Sequence, residues 1–199
     1  MNRLYHGSSQ EGLKTIVPRV STHGKSYVYA TEHRLVALLF LSRWNDFLLT
    51  LGDAFFGGAL HLTLTERYED AFQDIYGGKT GFLYTLDPGG FHADVDCWEL
   101  ELVSENEQAV ISCERIDDIW AELLRCEARG LITLRRYPSR PLSIPADDSD
   151  MVEKAVSLYR LSSNAHNGVY CIERFPHLKA RVCERFLTLF GIDLEKELP

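Results

Sequence analysis

Hydrophobic and polar positions change their period several times along the chain. Leu4-Tyr5-His6-Gly7-Ser8 and Tyr27-Val28-Tyr29-Ala30 are short runs bounded by polar loop residues, and they predict two early strands. Thr31 then offers a hydroxyl cap to a helix from about Glu32 to Trp44. Its Leu35, Val36, Leu38, Leu39, Phe40 and Leu41 wrap more than one face, the pattern of a buried helix. Period two returns in Leu60 to Thr65, Phe82 to Leu86 and Trp98 to Val103, which predicts half-buried, antiparallel strands. A further short strand is predicted from Gln108 to Cys113. Asp117 to Arg129 reads as a helix with Ile119, Trp120, Leu123, Leu124 and Ala128 on its core side and Gly130 at its C-terminal cap. Leu131 to Leu134 is placed as a return to the sheet.

After Tyr137 the text turns polar and proline-punctuated, through Pro138-Ser139-Arg140-Pro141 to Pro145-Ala146-Asp147-Asp148-Ser149-Asp150. That change predicts a domain over residues 1–137, a linker over 138–150 and a helical C-terminal appendage over 151–199 packed on the domain. The appendage carries helical patterns at about Met151 to Ser162 and His177 to Phe190, the second closed by Gly191. Strands early and in the middle, with helices between them and no regular βαβ alternation, give the α+β class.

Composition narrows the function. The 199 residues are 45% hydrophobic and 25% charged, enough to bury a sizeable core. With 21 basic and 29 acidic residues the formal charge is −8, so no global basic field exists to hold nucleic acid. The one local basic cluster is Arg125, Arg129, Arg135, Arg136 and Arg140, a place for phosphates or for a solvated face balanced by acids. The longest uncharged apolar stretch, Leu35 to Ser42, falls far short of the roughly 20 residues of a membrane span, so no membrane partner is expected. The first seven residues lack a signal-peptide core, and five cysteines at 97, 113, 126, 171 and 183 form no C-x-x-C pair, which together predict reduced thiols and a cytoplasmic protein. His23, His33, His61, His92, His166 and His177 show no metal-binding spacing, and no metal site is predicted. Gly77-Gly78-Lys79-Thr80 imitates the end of a P-loop, but Gln73 stands where its first glycine belongs.

Three chemistry-bearing features fall on three predicted strands: Tyr5-His6-Gly7-Ser8, then Tyr27-Val28-Tyr29-Ala30-Thr31, then Glu99-Leu100-Glu101. Their order resembles the ADP-ribosyltransferase superfamily, in the diphtheria-toxin and poly-ADP-ribose polymerase branch. There a His, a Tyr and a Glu on separate strands line one NAD cleft between split antiparallel sheets flanked by helices. The resemblance covers about residues 3 to 136. It implies that His6 bonds a ribose hydroxyl and that the Gly7 backbone grips the nicotinamide carboxamide. It also implies that Tyr29 and Phe40, eleven positions apart, sandwich nicotinamide, with Phe40 standing where the family carries a second tyrosine. Tyr27 shares a strand face with Tyr29 and competes for the first aromatic place.

In a strand from Cys97 to Val103, Glu99 and Glu101 would share a face. The resemblance implies that Glu101 stabilises the oxocarbenium ion formed when the nicotinamide bond breaks, and that Glu99 orients the acceptor. The expected function is therefore an NAD-dependent ADP-ribosyltransferase that uses NAD as substrate and passes ADP-ribose to an unknown acceptor. A noncatalytic module on the same fold, binding ADP-ribose, a nucleotide or an RNA end, is the alternative. An RNA 2′-phosphotransferase relative would need an Arg-His-Arg set that has no place here. An α+β protein acting only through protein contacts of its helical tail is the remaining reading.

Overall fold

The runs at Leu4 to Ser8, Tyr27 to Ala30, Leu60 to Thr65 and Phe82 to Leu86 settle as strands close to their predicted limits. β1 is Leu4–Ser8, followed by two-residue strands β2 (Thr15–Ile16) and β3 (Arg19–Val20) and then β4 (Ser26–Ala30). The computed structural model describes residues 3–20, 25–56 and 58–196; His23 lies outside them. The chain divides into two units, Met1–Pro138 and Ser139–Pro199.

The first unit continues with α1 (Arg34–Leu39), β5 (Leu49–Phe56), β6 (Ala59–Glu66), α2 (Ala71–Tyr76), β7 (Gly81–Leu86), β8 (Leu102–Ser104), β9 (Gln108–Ile116), α3 (Ile119–Ala128) and β10 (Ile132–Arg135). Its strands form three sheets, ordered β1-β7-β9-β2, β10-β6-β5 and β3-β4-β8. The pairing is antiparallel except between β10 and β6, which run parallel, so β6 departs from the antiparallel expectation. β7 is buried at every position rather than half-buried, because it is flanked by β1 and β9 and its residues face core on both sides. Leu4, Ile16, Val28, Ala30, Phe82, Tyr84 and Leu86 form one apolar cluster joining β1, β4 and β7.

Two corrections bear on the site. The helix predicted from Glu32 to Trp44 is only Arg34–Leu39. Phe40 and Leu41 turn off it with N–H bonds to the carbonyls of Ala37 (3.2 Å) and Leu38 (3.3 Å), a tightening that ends the α ladder, while the buried Tyr76 hydroxyl caps the Leu39 carbonyl at 3.1 Å. The strand predicted over Trp98 to Val103 begins only at Leu102. Residues 98–101 form a turn in which the Glu101 N–H donates to the Trp98 carbonyl at 2.8 Å and the Trp98 N–H donates to Glu101 Oε2 at 3.3 Å. A side chain that satisfies its own backbone competes with the ladder, so the shared strand face of Glu99 and Glu101 does not form.

The second unit contains α4 (Asp150–Ser162), α5 (His166–Arg174) and α6 (Lys179–Phe190), and Gly191 closes α6 at φ 71°. The stretch read as linker folds on itself: Arg140 donates to Asp148 at 2.7 Å and to the Pro145 carbonyl at 3.0 Å, and Ile144 is buried. Among the described residues no helix is long and apolar enough to cross a membrane.

Candidate functional site

Tyr5 and Thr31 exchange backbone hydrogen bonds of 2.8 and 3.0 Å, and this bridge joins β1 to β4. Since backbone groups alternate sides along a strand, Tyr5 and Gly7 turn their N–H and C=O toward the β4 side while His6 turns its own toward β7. Past the bridge the junction passes to a side chain. His6 Nδ1 donates to the Tyr29 carbonyl at 2.7 Å.

That bond fixes the imidazole chemically. A carbonyl oxygen only accepts, so Nδ1 carries the proton. Burial pushes the His6 pKa below its ordinary value, against an upward pull from the Tyr29 carbonyl, and the Arg19 cation lowers it further. His6 is therefore neutral at pH 7, with a lone pair on Nε2. Nε2 in that tautomer can only accept a hydrogen bond.

His6, Tyr27 and Tyr29 line one cleft of about 280 Å³, together with Ser8, Gln10 and Arg19 among its polar residues and Leu13, Ile16 and Val28 among its apolar ones. Tyr27 and Tyr29 meet edge to face, with ring centroids 6.0 Å apart and planes at 75°. The segment carrying Gln10 and Leu13 is tied down by the buried Tyr84, whose hydroxyl donates to the Gln10 carbonyl at 2.7 Å and accepts the Leu13 N–H at 3.1 Å. Arg19 places one cation in the lining, and Val17 and Val20 add exposed apolar surface to it. Ser8 falls within the His6-Gly7-Ser8 run but carries no predicted role, and Gln10 gives no signal in sequence, being an ordinary polar residue just beyond β1.

Gly7 lies next to His6 but is pressed against the end of α1. A Cβ there would overlap the Ala37 carbonyl oxygen and stand 3.0 Å from Phe40 C and 3.2 Å from Leu41 N. Only glycine admits this approach, and it brings the Phe40 backbone directly over Gly7. The Phe40 ring packs on Trp44 at 5.6 Å. The Thr31 hydroxyl accepts the His33 N–H at 3.1 Å, but it is not the predicted cap: the helix begins at Arg34 with His33 as its N-cap and no side-chain capping bond.

Glu101 sits one residue before Leu102, which faces Ala30 in the β4–β8 pairing, so its turn stands at the Thr31 end of β4. It is half-buried, and its negative charge, with that of Asp94, reinforces burial in raising the Cys97 thiol pKa. Glu99 is exposed on the same turn. The structure thus gathers His6, Tyr27 and Tyr29 at the cleft and Gly7 and the Phe40 backbone beside it, and it holds Glu101 on a turn bonded to Trp98.

The remaining motifs resolve as structure. Lys79 Nζ donates to the Asp74 carbonyl at 2.6 Å and the Thr80 hydroxyl donates to the Asp117 carbonyl at 3.0 Å. The basic cluster is largely neutralised, with Arg125 on Glu122 at 2.7 Å, Arg136 on Glu127 at 2.8 Å and Arg140 on Asp148 at 2.7 Å. Among the described residues no three His, Cys, Asp or Glu side chains gather as a metal site. Comparison with family models, with curated proteins and with solved structures finds no match for this chain.

Proposed function

We propose that the first unit is an ADP-ribosyltransferase-like domain that binds NAD where β1 and β4 part, and that it breaks the bond between nicotinamide and ribose. The observation that carries this reading is the His6–Tyr29 bond. It sets a neutral imidazole across the strand gap with Nε2 available to a ribose hydroxyl, beside the Gly7 backbone and the Tyr27/Tyr29 wall. A cleft of about 280 Å³ suits the nicotinamide riboside end of a dinucleotide, and Arg19 offers a cation to its pyrophosphate.

In this reading the C1′–N bond breaks with its electron pair leaving on nicotinamide, which departs neutral. The positive charge left on the ribose is relieved when water or another nucleophile adds at C1′ and loses its proton. Glu101 is the carboxylate for that charge. At about 4 Å and an effective dielectric near 20 it would contribute up to about 4 kcal/mol before desolvation is subtracted. His6, Gly7, Tyr29 and Phe40 hold the ligand, and Glu99 faces the acceptor.

A second reading has its own observation. Glu101 already accepts the Trp98 N–H, and a carboxylate kept to its turn would leave a domain that binds NAD or ADP-ribose without turnover. Release of nicotinamide from NAD by the purified protein separates the two. The enzyme releases it, and Glu101→Gln lowers the rate by about a hundredfold at unchanged folding. Tight ADP-ribose binding by calorimetry with no release selects the binding module, and neither turnover nor binding rejects both.

A further inference from the structure

We propose that Asp94 is a positioning residue for the cleft, holding the Tyr27 ring in place as one of its walls before any ligand arrives. Asp94 lies 67 positions from Tyr27 and accepts its hydroxyl proton at 2.7 Å through Oδ2. The same oxygen takes the Lys25 ammonium at 2.8 Å, and Oδ1 takes the Asp96 N–H at 2.9 Å. The side chain is only 10% exposed.

The segment bearing Asp94 is itself anchored. His92 and Val103 exchange backbone bonds of 3.0 and 2.8 Å, and the Cys97 N–H donates to the Asp94 carbonyl at 3.0 Å. Lys25 also meets Asp96 at 2.9 Å and lies 5.9 Å from the Tyr27 ring centroid. Hydrogen bonds from Lys25, the Asp96 amide and Tyr27 hold the Asp94 carboxyl well below the usual carboxylate range, so the acceptor is charged at every pH of interest. Tyr27 thus has its ring in the cleft lining, edge-on to Tyr29, and its hydroxyl end fixed from outside.

A wall ordered in advance spares the ligand the cost of ordering it. Losing the latch then weakens binding and leaves the chemical step alone, because Asp94 touches no reacting atom. The inference takes its ligand from the NAD reading, but the latch itself has a readout that does not depend on it.

The test compares Tyr27→Phe, Asp94→Ala and the double variant. KM for NAD, or Kd for ADP-ribose if there is no turnover, rises about threefold to tenfold in each single variant. kcat holds, and the double variant is no worse than the single ones. Loss of folded protein would instead lower apparent kcat and leave KM in place. Single effects that multiply in the double variant, or Tyr27→Phe binding as wild type does, overturn the proposal. If wild type neither binds nor cleaves NAD, the NAD reading fails and hydrogen exchange decides the latch. Tyr27→Phe is expected to speed exchange of the His92 and Asp96 amides about tenfold; unchanged exchange overturns it.

Discussion

Replacing Gly7 by alanine separates a residue that leaves room for a ligand from one that lets the fold close. A methyl at Gly7 would overlap the Ala37 carbonyl oxygen and crowd Phe40 C and Leu41 N at 3.0 and 3.2 Å. All three obstacles are backbone, so no side-chain rotation relieves them, and the end of α1 has to move. It is held there by the Tyr76 hydroxyl on the Leu39 carbonyl, by Leu41 against Gly81, and by Arg34, which bonds Glu114 at 2.7 Å and Glu122 at 3.2 Å. Overpacking against a fixed element costs about 1 to 3 kcal/mol, and this site belongs at the upper end. For a unit of this size about 3 kcal/mol lowers the melting temperature by roughly 10 °C.

Gly52→Ala is the matched control, since its new Cβ would meet only the Thr63 carbonyl oxygen at 3.9 Å. It should melt within a few degrees of wild type, on the stabilising side by about 0.5 kcal/mol. Both variants are followed by circular dichroism through thermal unfolding. A Gly7→Ala protein melting as wild type does would refute the packing account and leave ligand access as the sole reason for glycine at this position.

Two further outcomes follow from titration and burial. Because the His6 pKa is lowered in the fold, the unfolded chain takes up its proton first as pH falls. Its contribution to stability is intact above about pH 6.5 and declines below it until the folded value is passed. His6→Gln should remove that slope from a plot of melting temperature against pH, and retention of the slope would assign it to another group. Burial pushes the Cys171 thiol up to about 12, helped by Asp148 and Asp150, whereas Cys113 is exposed. Mass-resolved alkylation of the native protein should therefore mark Cys113 early and Cys171 only on unfolding; early labelling of Cys171 would contradict its burial.

β1 and β4 were legible nearly to the residue because turn formers bound each run and local alternation agrees with the final pairing. The end of α1 was not legible. Leu35 to Leu41 is apolar on every face, so nothing in the period marks a stop, and Gly7, Gly81 and Tyr76 set it from distant parts of the chain. β5 escaped notice because Gly52 and Asp53 interrupt its alternation, yet it pairs with β6 over its full length. Trp98 to Glu101 shows the reverse error, an alternation that mimics a strand while Glu101 bonds the Trp98 amide. At the site, His6, Tyr27 and Tyr29 were legible as residue types on strands. Asp94 was not, since nothing near it in sequence announces a bond to Tyr27 67 positions away.

The cleft exists because two neighbouring strands stop pairing. Extending the register past Tyr5–Thr31 would set His6 beside Ala30 and Gly7 beside Tyr29. His6 instead sends its ring across to the Tyr29 carbonyl, spending on a side chain the acceptor that a backbone N–H would otherwise take. Gly7 itself packs against the backbone at the end of α1, where a Cβ would meet Ala37 O, Phe40 C and Leu41 N. The His6–Tyr29 bond spans the opening, and the lining is tethered by Tyr84 through Gln10 and Leu13 and by Asp94 through Tyr27. In the proposed reading such an arrangement would meet its ligand already shaped, and the carboxylate assigned to the ribose charge, Glu101, accepts the Trp98 N–H within its turn. Whether that carboxylate exchanges Trp98 for a ribose cation is what nicotinamide release measures.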